Sequence, residues 1–245
     1  LDKIEGIDFM FTTRAGDTGV GDLDFDRKGF NDRQVRESYE VVAESLGIEV
    51  SDIFVMNQVH GARVTVLKER PKKENMFGVV ETDGAVTNLH RLALSILTAD
   101  CVPLLMADIN GGLVGAVHAG WRGTVAGIST EAVKTMVDSF GSRAEDIVVA
   151  MGPAIGPCCY EVGPEVAEEI QGTAGLLEDC LVEKGGGKFR LDLYRLNRHI
   201  LEASGIRSDN IVSVDLCTHC NQDLFYSYRR EGEKTGRMLS AIMIK

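Results

Sequence analysis

What the 245-residue chain lacks narrows its class first. No uninterrupted apolar stretch approaches the roughly 20 residues that a membrane-spanning helix needs, so no membrane partner is expected. The opening residues, LDKIEGIDF, carry charges where an export signal has its apolar core, so no such signal is expected. The start at Leu1 rather than Met leads us to expect a trimmed leader. Positive charge is in deficit. The 26 Lys and Arg against 37 Asp and Glu leave a net charge of -11, which argues against a nucleic-acid partner while leaving room for a local basic pocket. No internal repeat, low-complexity tract or linker divides the chain. A disulfide framework is not expected either. Cys158 and Cys159 are adjacent, and a chain of this size without an export signal is read as cytoplasmic, with free thiols.

The patterning that is present mixes strands with helices. Apolar runs predict strands at 8–13, 92–98, 113–117, 147–151, 211–215, 224–229 and 238–244. Residues 53–59 and 63–67 read as two strands around a tight turn at His60-Gly61. Helical periodicity covers 31–46, capped by Asn31 or Asp32 and stopped by Gly47, and also 124–140, 164–171 and 192–203. Residues 70–82 read as a charged loop. Strands do not alternate strictly with helices, so the expected fold class is α+β, a single domain over 1–245 with a mixed β-sheet and flanking helices.

Three of these segments share a pattern. IFVMNQVHG (53–61), LALSILTADCVP (92–103) and LVGAVHAG (113–120) each bring one nitrogen or sulfur ligand to the C-terminal end of an apolar run. The ligands are His60, Cys101 and His118. Alternation puts small residues on the ligand-bearing faces: Ala93, Ser95 and Ala99 beside Cys101, and Ala116 beside His118. Two imidazoles and a thiolate suit a borderline-soft ion such as zinc, and three protein ligands leave a fourth tetrahedral position open for chemistry. Two further readings stand beside this one. The histidines could be satisfied core residues with Cys101 a small buried hydrophobe, or His118 could activate Cys101 as a nucleophile. A sulfur that holds zinc is not a free nucleophile, so the metal and nucleophile readings exclude each other.

Arginines supply the anion-handling chemistry. Arg122 sits just before the expected helix 124–140, and the C-terminal stretch SYRREGEKTGR offers Arg229, Arg230 and Arg237, with Arg14 near the start. The run Cys217-Thr-His219-Cys220 resembles half of a zinc knuckle, but there is no second pair of that spacing, and a structural site would have to recruit Cys158 or Cys159. The glycines at 152 and 156 match neither a dinucleotide fingerprint nor a P-loop and are expected to turn a tight loop near the site.

Taken together, NQVHG (57–61), TDGAVT (82–87), TADCVPLL (98–105), GAVHAGWRG (115–123), GPAIGPCCYEVG (152–163) and FYSYRRE…TGR (225–237) resemble the YfiH family. That family is also called the multicopper polyphenol oxidase or laccase-like family, and its members are described as purine nucleoside phosphorylases. The resemblance implies an α+β domain similar to a bacterial toxin deamidase that uses a Cys–His pair. It also implies zinc on His60, Cys101 and His118, with Asp83 lining the site. The implied reactions are phosphorolysis of adenosine, inosine, guanosine and methylthioadenosine, and adenosine deamination. Arg122 and Arg229 or Arg230 are the expected phosphate contacts, and the expected state is a monomer or small homo-oligomer. The chain lacks the H-x-E…P-C-x-x-C arrangement of zinc deaminases, so its solution to deamination would be a separate one. A copper polyphenol oxidase is a competing function, although five scattered histidines are too few for several copper centres. Single copper binding at the zinc ligands is compatible with the donor set. A Cys–His hydrolase and a peptidoglycan editing factor compete as well.

Overall fold

The structure is a computed structural model and describes residues 5–15, 22–26, 33–108, 110–172 and 179–245. In chain order the strands are β1 (Ile7–Phe11), β2 (Ile53–Asn57), β3 (Val64–Leu67), β4 (Phe77–Glu81), β5 (Gly84–Thr87), β6 (Ala93–Thr98), β7 (Val102–Asp108), β8 (Leu113–Ala119), β9 (Ile147–Met151), β10 (Glu161–Val162), β11 (Leu181–Gly185), β12 (Lys188–Leu191), β13 (Ile211–Ser213) and β14 (Met238–Ile244). The helices are α1 (Arg33–Leu46), α2 (Trp121–Val125), α3 (Ile128–Phe140), α4 (Pro164–Gly172), α5 (Leu193–Ala203) and α6 (Tyr228–Glu231).

The strands form two large mixed sheets and one small one. A five-stranded sheet runs β1-β14-β6-β2-β4, a six-stranded sheet runs β13-β9-β7-β8-β5-β3, and β10-β12-β11 stand apart. Period-two alternation explains why the large sheets stack. Ile53 and Val55 of β2 face Tyr39, Val42 and Leu46 of α1. Phe54 and Met56, on the opposite face, meet Leu105, Ala107, Val114 and Ala116 of the other sheet. Leu104 and Met106 of β7 point away from that seam, toward Ile128, Ala132 and Met136 of α3 and Leu196 and Ile200 of α5. Both faces of each sheet are thus covered, and the strands read as near-continuous apolar runs. The fold class is the expected α+β.

Several local expectations are corrected. β2 and β3 do not form a hairpin: β2 pairs in parallel with β4 and β6, whereas β3 pairs in parallel with β5 in the other sheet. The 70–82 loop contains β4, an edge strand whose flanking charges hid it. The helix expected at 124–140 begins earlier, as α2, and is interrupted at Gly127, which takes a left-handed φ of 87°. Residues 224–229 are not a strand, because Ser227 caps α6 through its side chain while Phe225 and Tyr226 pack on Met238. The small sheet leaves little trace in the pattern because its strands are short and charged. The caps expected at Asn31 and Asp32 lie outside the described residues. Among the described residues no helix is long and apolar enough to cross a membrane.

Candidate metal centre

Three times the chain crosses from the five-stranded to the six-stranded sheet: from β2 to β3, from β4 to β5 and from β6 to β7. His60, Asp83 and Cys101 lie in those three connections, and His118 enters from the end of β8. One ring nitrogen each of His60 and His118 and the sulfur of Cys101 all fall within 4.8 Å of one another. The two imidazoles meet edge to face, with centroids 4.8 Å apart. The strands deliver these ligands less directly than alternation suggested. β6 stops at Thr98, and Cys101 is carried by the turn into β7.

Two backbone outliers shape the centre. His60 has a φ of 61° and Asp100 a φ of 96°, a region uncommon for side-chain-bearing residues. Each is held by a carboxylate. Asp83 accepts the backbone N–H groups of Val59, His60 and Gly61 at 3.2, 2.9 and 2.8 Å. Asp100 accepts the Thr218 hydroxyl at 2.6 Å, the Ser227 hydroxyl at 3.1 Å and the Arg229 backbone N–H at 2.7 Å. Strain that persists because neighbours over-determine it belongs at functional positions.

Asp83 has a second role. Its Oδ1 lies 2.8 Å from Nδ1 of the buried His118. That contact leaves Nε2 for a ligand, the usual division of labour in a metal-binding histidine. Burial works against the Asp83 carboxylate, but the His118 hydrogen bond and the backbone N–H groups outweigh it and lower its pKa. Asp83 was expected to line the site. It is fully buried and holds these four partners, which places it behind the ligands.

Cys101 and His118 polarise each other. Burial pushes the thiol up, yet the charge and hydrogen bond of His118, aided by His60, bring it down to about 6. Burial depresses His118, yet the Cys101 sulfur and Asp83 raise it to about 9. A thiolate beside an imidazolium is what a soft divalent ion would displace a proton from. The glycines answer the same need for room. A Cβ at Gly120 would stand 2.9 Å from the Cys101 sulfur, 3.3 Å from His60 Cδ2 and 3.7 Å from His118 Cε1. A Cβ at Gly123 would stand 2.8 Å from the Gly61 carbonyl, so only glycine lets α2 settle on that loop. Donor set, spacing and kept space all fit a zinc-like ion.

The arginines separate on inspection. Arg122 belongs to α2, exposed, with its guanidinium 4.4 Å from the Trp121 ring centroid. Arg229 donates to the Glu161 carbonyl at 2.6 Å and lies 5.2 Å from the Tyr160 ring. Arg230 donates to the carbonyls of Thr218, His219 and Phe225 and to Glu231, clamping its loop. Arg14 is paired with Asp22, and Arg237 binds the carbonyls of Thr235 and Gly236. Two neighbours went unnoticed in the sequence: Asp100, and Tyr160, whose phenol is pushed up by burial and by the nearby Cys101 charge. Their signal was adjacency to cysteines within TADC and PCCYE.

A second cluster is unexpected. Cys158, Cys159, Cys217 and Cys220 gather in one place, so the half-knuckle at 217–220 does find partners.

Comparison with known proteins gives this geometry its context. A purine nucleoside phosphorylase of Deinococcus radiodurans is 41% identical over 235 residues, covering 95% of this chain and 87% of the relative. Adenosine deaminase RL5, from an unknown prokaryotic organism, is 34% identical over 254 aligned positions, covering 99% and 96%. The crystal structure of Bacillus licheniformis hypothetical protein YfiH superposes with a TM-score of 0.91 at 32% identity, covering 100% of this chain and 95% of that one. With a family model matching residues 8–245, the chain belongs to the multi-copper polyphenol oxidoreductase laccase family, the laccase-like family that includes YfiH.

Proposed function

We propose that the chain is a zinc-dependent purine nucleoside phosphorylase acting on adenosine, inosine, guanosine and methylthioadenosine, with adenosine deaminase activity. The observation that carries this is the convergence of His60, Cys101 and His118 around a space that Gly120 keeps clear. The names of the relatives supply the substrate class. Zinc on these ligands would supply Lewis acidity at neutral pH.

The residues divide the work. Asp83 fixes the His118 tautomer and, through three backbone N–H groups, the position of His60. Arg122, exposed on α2, is assigned to phosphate. In phosphorolysis a phosphate oxygen bonds to ribose C1′ as the bond from C1′ to the purine breaks, and the purine leaves with the electron pair and takes up a proton. Tyr160, kept protonated by its surroundings, is a hydrogen-bond donor beside the centre. In deamination, water adds at purine C6 and ammonia leaves.

A Cys–His hydrolase is the second reading, favoured by the thiolate–imidazolium pair. One assay separates the readings: inosine with and without phosphate. Hypoxanthine and ribose 1-phosphate should form only when phosphate is supplied. Arg122→Ala should weaken phosphate use by roughly tenfold to a hundredfold, the worth of one charge-assisted hydrogen bond. Base release without phosphate supports the hydrolase. Phenol oxidation at a comparable rate by protein holding only zinc, which has no redox chemistry, sinks the nucleoside reading.

A further inference from the structure

Four cysteines lie together outside that centre. Cys158 and Cys159 are in the loop after β9, and Cys217 and Cys220 follow β13. Their four sulfurs lie within 4.8 Å of one another, with Cys158 to Cys220 at 3.6 Å and Cys159 to Cys220 at 3.3 Å. Four thiolates at tetrahedral corners about 2.3 Å from one zinc would be about 3.8 Å apart, so the spacing is that of a single ion. An iron–sulfur cluster interposes several atoms between its thiolates and would hold them farther apart.

The backbone around the cluster is also arranged for thiolates. The Gly156 N–H donates to the Cys217 sulfur at 3.2 Å. A Cβ on Gly156 would stand 3.3 Å from the Cys158 sulfur and 3.3 Å from Cys217 Cβ, so the glycine permits the close approach. The two loops are already aligned by a parallel bridge between Ala154 and Cys217 and by the Thr218 N–H donating to the Ala154 carbonyl at 3.0 Å. The Asn221 side chain donates to the Cys217 carbonyl at 2.8 Å and closes the second loop on itself. All four cysteines are free thiols, and Cys158 and Cys220 are exposed. Four thiols drawn this close without a disulfide have their plainest physical explanation in a shared cation.

We infer that Cys158, Cys159, Cys217 and Cys220 form a second, structural zinc site that staples the 156–160 loop to the 217–220 loop. With four protein ligands the site is closed and takes no substrate. What it holds in place matters to the first centre. Thr218, between two of the ligands, donates to Asp100, the strained residue immediately before Cys101. Tyr160, next to Cys159, carries the Arg229 guanidinium on its ring.

The test uses the whole chain of residues 1–245 and does not depend on the phosphorylase reading. A His60→Ala/Cys101→Ser/His118→Ala variant, purified without chelator, is analysed for zinc and for thiols reactive toward a disulfide reagent. About one zinc per chain should remain, and the otherwise exposed Cys158 and Cys220 should react only after a strong chelator is added. Cobalt substituted into this variant should give the intense thiolate charge-transfer bands of a tetrahedral sulfur site. Cys217→Ser/Cys220→Ser in the wild-type background should lose that zinc. If this second variant fails to fold, the metal count and thiol protection of the first still decide. A metal-free triple variant whose four thiols react at once overturns the site, as does a disulfide found by mass. Iron in place of zinc overturns the choice of ion.

Discussion

Replacing Gly120 by alanine is the sharpest perturbation of the first centre, because its consequence is set by distances alone. The added Cβ would lie 2.9 Å from the Cys101 sulfur and 3.3 Å from His60 Cδ2. Ordinary non-bonded contact begins near 3.5 Å, so the sulfur must retreat by roughly 0.6 Å and the imidazole by about 0.2 Å. Metal sites hold ligand distances to within about 0.2 Å. Cys101 therefore cannot both clear the methyl and keep its place in the triad. Overpacking of this kind costs about 1–3 kcal/mol, and it falls mainly on the metal-bound form, since without metal no bond length fixes where the sulfur must sit. Zinc should bind roughly fivefold to hundredfold more weakly. The assay is competition with a chromogenic chelator, alongside thermal unfolding with and without zinc. The loaded protein should lose more Tm than the metal-free protein. Gly172→Ala is the control, since a Cβ there meets nothing within 4 Å. Unchanged zinc affinity in Gly120→Ala would refute the idea that this glycine keeps the ligand space open.

Two further outcomes test the electrostatics. With Cys101 near 6 and His118 near 9 in the metal-free protein, Cys101 is already ionised between those values and His118 still carries its proton. Zinc must then displace about one proton, so affinity should rise about tenfold per pH unit across that window, flatten above it and steepen below it; a flat profile by chelator competition counts against the thiolate–imidazolium pair. Asp83→Asn keeps the shape but removes the charge that His118 and three backbone N–H groups share, and zinc affinity measured the same way should fall roughly tenfold to a hundredfold. Wild-type affinity in that variant would show that Asp83 does not orient the ligand.

Much of the site was legible in the sequence because its ligands end apolar runs. His60, Cys101 and His118 could be grouped by that shared position, with no knowledge of which strands pair. Which sheet each strand joins was not legible. β2 and β3 are separated by a short turn, and only the burial of both faces of β2 forces it away from its sequence neighbour. Asp83 was noticed, but not its partners, since a carboxylate lining a pocket and one buried behind it look alike in sequence. The partners of Arg230 were hidden for a similar reason, as a guanidinium shows them only when the carbonyls of a folded loop are in place. The cysteine cluster was judged by spacing along the chain. Cys158 and Cys217 come together through the parallel pairing of β9 with β13, a long-range contact that leaves no local pattern.

The placement of the first centre on three crossings between sheets also fixes when it can come into being. Cys101 is about 40 residues along the chain from His60 and His118 about 17 beyond Cys101, so an unfolded chain would have to close two loops before all three could chelate together. An ion bound there would stabilise the folded seam by mass action. Without an ion the ligands are held in register by the chain itself, with the His118 proton shared between Cys101 and Asp83 in the place a cation would take.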